Sequence, residues 1–264
     1  MEISVIIPVF NSSEILPSLI NQISDHLATK EQDYEIILVD DSSNDDSWKT
    51  ILYLSSKNKN IKGIQLDKNY GQHNAIMAGL NNCLGDYVIL MDDDLQHNPK
   101  YIYQIYNVIK KDNDVCYVNY LNRQHQNWKK FVSWSNNIVS SIIMNKPFNI
   151  YTSSFKGIKK EIVIQIIKSK KKEVFLDWLI INSTKKIKMI DVEHQKRFSG
   201  KTNYGLKKLL LLWTGMILNV PLNPKKFSFI LLIILKIFIG IFLYSFIKKK
   251  EVNNQFNILN KTFS

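Results

Sequence analysis

The sequence predicts an α/β fold in which a mostly parallel central sheet is flanked by helices, followed by C-terminal amphipathic and hydrophobic segments suited to a membrane. Three observations carry this. Over roughly the first 120 residues, unbroken apolar runs rich in β-branched residues alternate with helical patterns, as expected for parallel strands buried on both faces. Each apolar run ends in polar or acidic residues, so one rim of the sheet collects chemistry. Near the C-terminus a long stretch almost without charge breaks from everything before it.

The strand runs are "ISVIIPVF", "YEIILVD", "IKGIQLD", "DYVILMD" and "DVCYVNYL". Ser13 to Leu27, Asp46 to Ser56, Gln72 to Leu84 and Pro99 to Lys110 read as the helices between them. "SSND" ahead of "DSWKTILYL" supplies N-cap chemistry, and Gly71 and Gly85 punctuate element ends. After residue 121 the alternation stops. Trp128 to Met144 is amphipathic, with Lys129 and Lys130 beside its apolar residues, and suits an interfacial helix as well as one packed on its own core. "SSFKGIKK" reads as a strand, Lys160 to Lys168 as a short helix, Glu173 to Ser183 as a helix and "KKIKMIDVEHQ" as a strand. Gly205 to Val220 is a helical pattern with Lys207, Lys208 and a leucine run.

Phe227 to Ile247 is interrupted only by Lys236, and as a helix it would span about 31 Å, one bilayer core. Lys225 and Lys226 precede it and Lys248, Lys249 and Lys250 follow, so charge does not orient it. Lys236 leaves a shallow or re-entrant placement open beside a crossing. The chain thus divides into a catalytic domain (1–220), a membrane-associated or transmembrane helix (221–250) and a polar tail (251–264).

The 264 residues give room for one large domain and an appendage, and a net charge of +12 points to an anionic partner. Cys83 and Cys116 sit in apolar settings with no pairing pattern and read as reduced core thiols, which suits a cytosolic catalytic part. The N-terminus begins as a strand, with no basic region, and does not read as a signal peptide. No Walker loop and no G-x-G-x-x-G is present.

Chemistry is expected at the carboxyl ends of the strands. The first ends in Pro8 and Phe10, the second in Asp40 and Asp41, the third leads to "DKNYGQHNA", and the fourth ends in Asp92, Asp93 and Asp94. Three adjacent carboxylates repel unless a cation sits among them. Mg2+ or Mn2+ would suit Asp92 and Asp94, which share a side if the backbone is extended, with Gln96 adding an oxygen. The chain writes 33 of its 35 basic residues as lysine; only Arg123 and Arg197 are arginine. A guanidinium holds phosphate in two bonds where an ammonium is a point charge, so these two positions are expected to meet phosphates.

The stretches "VIIPVFN", "ILVDDSSNDDSW", "KNYGQHNAIMAGL", "GDYVILMDDDLQHNP" and "VEHQKRFSGKTNYG" together resemble the family-2 glycosyltransferases of GT-A fold, a Rossmann-like domain. The resemblance is nearest to the polyprenyl-phosphate type, that of dolichyl-phosphate mannose synthase and the undecaprenyl-phosphate sugar transferases. It runs from about residue 3 to 215. It implies that Pro8, Phe10 and Asp41 hold the base and ribose of a UDP- or GDP-sugar, and that Asp92, Asp94 and Gln96 hold a metal and the diphosphate. Arg123 and Arg197 would contact phosphates, and Tyr204 fills the tyrosine of the last motif. Ser12 stands where the family often has glutamate, and Asn203 where some members have lysine, with Lys201 nearby.

The expected reaction is inverting sugar transfer to a polyprenyl phosphate at the cytoplasmic face of the inner membrane. Arg197, Lys201, Lys207 and Lys208 would lie where a membrane-borne phosphate arrives. A lipid phosphate is already a nucleophile, whereas a saccharide hydroxyl needs a base. Asp177, in "EVFLDWLI", is the base candidate that keeps a hydroxyl acceptor in play. His194 is a further acceptor-contact candidate, and His73 and His97 are rim candidates. Membrane lipid and a second copy of the chain are possible partners. The acidic rim argues against a nucleic-acid module, and the intact metal motif against a non-catalytic nucleotide-sugar binder.

Overall fold

A computed structural model describes residues 1–29, 33–121, 144–168, 175–193 and 258–263, together with Asn137, Ser140 and Ser141. Its strands are β1 (Ile3–Val9), β2 (Tyr34–Asp40), β3 (Ile61–Leu66), β4 (Tyr87–Leu90), β5 (Val115–Leu121), β6 (Lys156–Lys159), β7 (Ile187–Glu193) and β8 (Ile258–Lys261). They form one sheet in the order β7-β5-β6-β4-β1-β2-β3-β8. β1 pairs in parallel with β2 and β4, β2 with β3, and β5 with β7. β6 runs antiparallel to both β4 and β5, and β8 antiparallel to β3. The mostly parallel sheet read from the sequence is therefore present, with one reversed strand wedged beside its centre.

Helices cover both faces. α1 (Leu16–Ala28), α2 (Ser47–Lys57) and α4 (Ile102–Lys110) pack on one, and α3 (Gln72–Leu80), α5 (Lys160–Ile167) and α6 (Leu176–Ser183) on the other. α1 buries Leu16, Leu19, Ile20, Ile23 and Leu27, and α4 buries Ile102, Ile105, Tyr106 and Ile109. Both sets follow the three-and-four spacing of a helix stripe. In β1, Ile3, Val5, Ile7 and Val9 face the first core while Ile6 faces the second, which is why the run is apolar without alternation.

Several boundaries differ from the sequence reading for local reasons. α1 starts at Leu16 rather than Ser13, with Pro17 in its first turn and the Ser12 carbonyl accepting from the Ile15 and Leu16 amides. α3 stops at Leu80 rather than Leu84, because the Asn81 and Asn82 side chains donate back to the Met77 and Ala78 carbonyls. At α2 the cap position is Asp46, but Asp45 Oδ1 accepts the Ser47 amide at 3.0 Å. Residues 258–261, read as part of a polar tail, instead add β8 to the edge of the sheet, a pairing that only tertiary contact decides. Among the described residues no helix is long and apolar enough to cross a membrane. The expected segments at 128–136, 205–220 and 221–250 lie outside the described residues.

At the end of the sheet away from the acidic rim, the fully buried Glu35 of β2 binds β1, β3 and the loop before β4 together. Its Oε1 accepts from Ser4 Oγ at 2.5 Å and the Leu84 amide at 2.6 Å, and its Oε2 accepts from Lys62 Nζ at 2.6 Å. Removing one partner of a buried pair leaves the other charge uncompensated. Glu35→Ala is expected to lower unfolding stability by about 3–5 kcal/mol in urea titration, with Glu35→Gln, which keeps acceptor capacity, losing less.

Candidate active site

The loops after β1, β2 and β4 meet at the carboxyl rim. Asn11, at φ 55°, donates its amide to Ser43 Oγ at 3.0 Å and accepts the Asn44 amide at 2.8 Å, so the first two loops are stitched together. Pro8 is buried inside β1, whereas Phe10 is 44% exposed just past its end, an aromatic face open to a flat ligand.

Asp40 and Asp41 are both buried but differ in use. Asp40 Oδ1 accepts the Ser43 amide at 3.2 Å, while its Oδ2 is buried with no hydrogen-bond partner among the described residues. Burial raises its carboxyl above the ordinary carboxylate range. Asp41 accepts the Tyr70 amide at 2.7 Å and the Gly71 amide at 2.8 Å, one on each oxygen. It clamps the β3–α3 loop where Gly71, at φ 86°, turns the chain into α3. Any nucleotide contact from Asp41 must use the second lone pair of an oxygen already bonded to that loop.

The three aspartates divide. Asp93 turns back to β1: its Oδ2 accepts from the Phe10 amide at 3.2 Å and from Ser12 Oγ at 2.5 Å. Burial pushes its carboxyl up to about 6, against those two donors. Asp92 turns the other way. Its Oδ1 accepts from Gln72 Nε2 at 2.7 Å and its Oδ2 from Ser154 Oγ at 2.6 Å. Asp94 Oδ1 accepts the Gln96 amide at 3.1 Å across a turn in which Leu95 takes φ 59°. A leucine in the left-handed region is strained, and here the strain closes the turn that carries Gln96.

His97 sits behind Asp92, its ring stacked 4.9 Å from Phe155 and 5.9 Å from Tyr120. Its Nδ1 accepts the Asp92 amide at 3.0 Å, which assigns the ring proton to Nε2, 3.4 Å from Ser154 Oγ. The sequence reading missed this bracing and the roles of Ser12, Gln72 and Ser154.

β6 links the acidic rim to Asp177. Ser154, just before it, reaches Asp92, and Lys156, opposite Leu90 of β4, reaches Asp177. Asp177 Oδ1 accepts from buried Lys156 Nζ and from the Tyr117 hydroxyl, the latter at 2.9 Å. Burial, with Asp177 alongside, holds the Tyr117 hydroxyl well above the usual tyrosine range. His73 is adjacent, its ring 5.3 Å from Phe175 and its Nδ1 buried without a hydrogen bond. Burial lowers its pKa and Asp177 opposes that. Lys146, also buried, donates to Asn137, Ser141 and the Ile150 carbonyl, and burial lowers its ammonium to about 8.

Asp92 bears its charge against neutral donors, with no lysine or arginine paired to it or to Asp93 among the described residues. Carboxylate and amide oxygens form a hard donor set, and each Asp92 oxygen keeps a lone pair, so Asp92, Asp94 and Gln96 fit a divalent cation. Among the described residues no three His, Cys, Asp or Glu side chains form a ready-made cation cage. Arg123, His194, Arg197, Lys201 and Tyr204 lie outside the described residues.

The undecaprenyl-phosphate 4-deoxy-4-formamido-L-arabinose transferases of Yersinia pestis (strain Pestoides F) and Yersinia enterocolitica are each 31% identical to this chain over 226 residues, covering 85% of it and 69% of the relative. Among solved structures, glucosyl-3-phosphoglycerate synthase from Mycobacterium tuberculosis with Mn2+, UDP and phosphoglyceric acid superposes with a TM-score of 0.61 at 14% identity. The match covers 84% of this chain and 79% of that one, and shows a shared GT-A-like fold. The sequence model described as Glycosyl transferase family 2 matches residues 4–178, and with it the acidic rim finds its context: the chain belongs to that family and is a glycosyltransferase.

Proposed function

We propose that the chain transfers a sugar, with inversion, from a UDP- or GDP-sugar to a polyprenyl phosphate at the cytoplasmic face of the inner membrane. The observation that carries the choice of acceptor is Asp177. Its Oδ1 takes two hydrogen bonds, one from a buried ammonium, and this ties it into the protein as an ion pair. A hydroxyl acceptor needs a base poised beside it; a phosphate oxygen already carries the charge it attacks with. The two Yersinia relatives, named as undecaprenyl-phosphate transferases, support the same acceptor class.

In this reading Phe10 covers the base, and Pro8, Asp40 and Asp41 shape the pocket for base and ribose. Asp92, Asp94 and Gln96 hold Mg2+ or Mn2+, and Gln72, Ser154 and His97 keep Asp92 aimed. When bound, the cation supplies positive charge against the diphosphate leaving group. Arg123, Arg197, Lys201 and Tyr204 take the remaining phosphate oxygens. The bond from the sugar C1 to the donor diphosphate breaks as the acceptor phosphate oxygen bonds to C1 from the opposite face, and no proton has to be removed.

Membranes carrying the full chain, given polyprenyl phosphate and a panel of labelled UDP- and GDP-sugars with Mg2+ or Mn2+, are expected to move label into the organic phase for one donor. Label appearing only in water-soluble saccharide would overturn the acceptor assignment. Asp92→Asn is expected to lower transfer on the order of 10²-fold or more, and to weaken Mn2+ binding in the presence of UDP read by paramagnetic resonance, with unchanged thermal unfolding. Asp177→Asn separates the two acceptors. For a lipid phosphate, turnover per folded enzyme stays within a few-fold while stability falls by about 3 kcal/mol, because Lys156 loses its counter-charge. A loss of roughly 10²–10⁴-fold in kcat with nucleotide binding intact would identify Asp177 as a base and a hydroxyl as the acceptor.

A further inference from the structure

Three polar residues line up across β2, β3 and β8. Asp40 is opposite Gln65 in the β2–β3 ladder, and Gln65 is opposite Asn260 in the β3–β8 ladder, so the three share one face of the sheet. Two residues back along β3, β8 is firmly seated. Thr262 Oγ1 accepts the Gly63 amide at 2.7 Å, and the Thr262 amide donates to the Gly63 carbonyl at 3.1 Å. A Cβ at Gly63 would meet Ile51 Cγ2 at 2.5 Å and Thr262 Cγ2 at 3.2 Å, so α2 and β8 close over this glycine and leave no room for a side chain. Lys261 Nζ donates to Asn82 Oδ1 at 2.6 Å and ties β8 to the residues just after α3.

From this seat Asn260 acts on Gln65. Its Nδ2 donates to Gln65 Oε1 at 2.9 Å, a bond between residues 195 apart in sequence. With the amide oxygen engaged there, the NH2 of Gln65 is the part left for Asp40. Burial raises the Asp40 carboxyl, and donation from Ser43 and Gln65 draws it back. Asp40 Oδ2 is buried without a hydrogen bond among the described residues, which leaves an acceptor available to a ligand. The β3–β8 register shifts between Gln65 and Leu66, shortly before the loop whose Tyr70 and Gly71 amides donate to Asp41. Irregularities of this kind re-aim side chains next to active sites.

We infer that Asn260 is a positioning residue for donor binding: from β8 it holds the Gln65 amide in the orientation that keeps Asp40 an acceptor toward the nucleotide, so the C-terminal strand completes the base side of the pocket. The inference rests on the reading of Asp40 as part of the base and ribose pocket. Without Asn260 the Gln65 amide is free to turn its oxygen toward the carboxylate, which repels it. Asn260 touches no reacting atom, so its effect falls on donor affinity rather than on the chemical step.

Full-length protein is titrated with UDP and with GDP, each with Mn2+, and with pyrophosphate and Mn2+ as a probe that has no base. Asn260 is exposed, so substitution there spares the core. Asn260→Ala is expected to weaken whichever nucleotide the parent binds by about 3–10-fold, the range of one hydrogen bond, and to leave pyrophosphate unchanged. Donor KM rises by the same factor while kcat stays within about two-fold. Asn260→Asp, which can only accept, turns the Gln65 amide round and is expected to weaken nucleotide binding more than Asn260→Ala does. In a Gln65→Ala background, Asn260→Ala is expected to add nothing, because the two act in series. Nucleotide and pyrophosphate weakened alike would overturn the inference. So would Asn260 variants that bind nucleotide as the parent does while Asp40→Asn binds it less tightly. Unchanged nucleotide affinity in Asp40→Asn would instead overturn the pocket reading beneath it.

Discussion

Successive side chains of an extended strand point to opposite sides, and the site depends on that constraint just past β4. Asp93 turns toward β1 and fastens the Phe10 amide and Ser12. Asp92 turns toward α3 and β6 and is fastened by Gln72 and Ser154. The middle carboxylate thus secures the loop that carries Phe10, and its neighbour is left facing the space between the strand ends. Three like charges in a row are tolerable because they do not share a volume.

The parallel strands were legible because their apolar runs are continuous and double-faced, and the acidic rim followed from where those runs stop. What was not legible depends on contacts distant in sequence. Ser154 lies 62 residues from the carboxylate it supports, and nothing in "YTSSFKG" announces that partner. Ser12 read as a departure from a family glutamate, yet its hydroxyl holds Asp93. β8 is four residues, "ILNK", with no period of its own; it is a strand because the β3 edge offers unpaired backbone groups. Asp177 read as a base candidate, but its ion pair was not legible, since Lys156 belongs to a strand that reverses direction within a parallel sheet.

That reversed strand explains how the acidic rim and Asp177 come to be neighbours. β6 lies between β4 and β5 and, running antiparallel, brings its leading residues to the carboxyl rim of its partners. One short segment then carries Ser154 to Asp92 and Lys156 to Asp177. A shift of β6 along β4 moves both contacts together, so the geometry of the Asp92 side and that of the Asp177 side are coupled through backbone register.

The described residues contain no arginine, and the side-chain ion pairs among them are made by lysines, such as Lys62 with Glu35, Lys110 with Glu2 and Lys156 with Asp177. The described part of the fold therefore meets its need for positive charge with point charges. These suffice where a carboxylate is already fixed by other donors, as Glu35 is by Ser4 and the Leu84 amide. A phosphate arriving from solution has no such fixing, and a planar guanidinium provides orientation as well as charge. Both arginines occur in the sequence soon after β5 and β7, in "YLNRQHQ" and "HQKRFSG", outside the described residues. Lysine elsewhere and arginine there is the pattern expected if the framework needs neutralisation and only the ligand needs a fork.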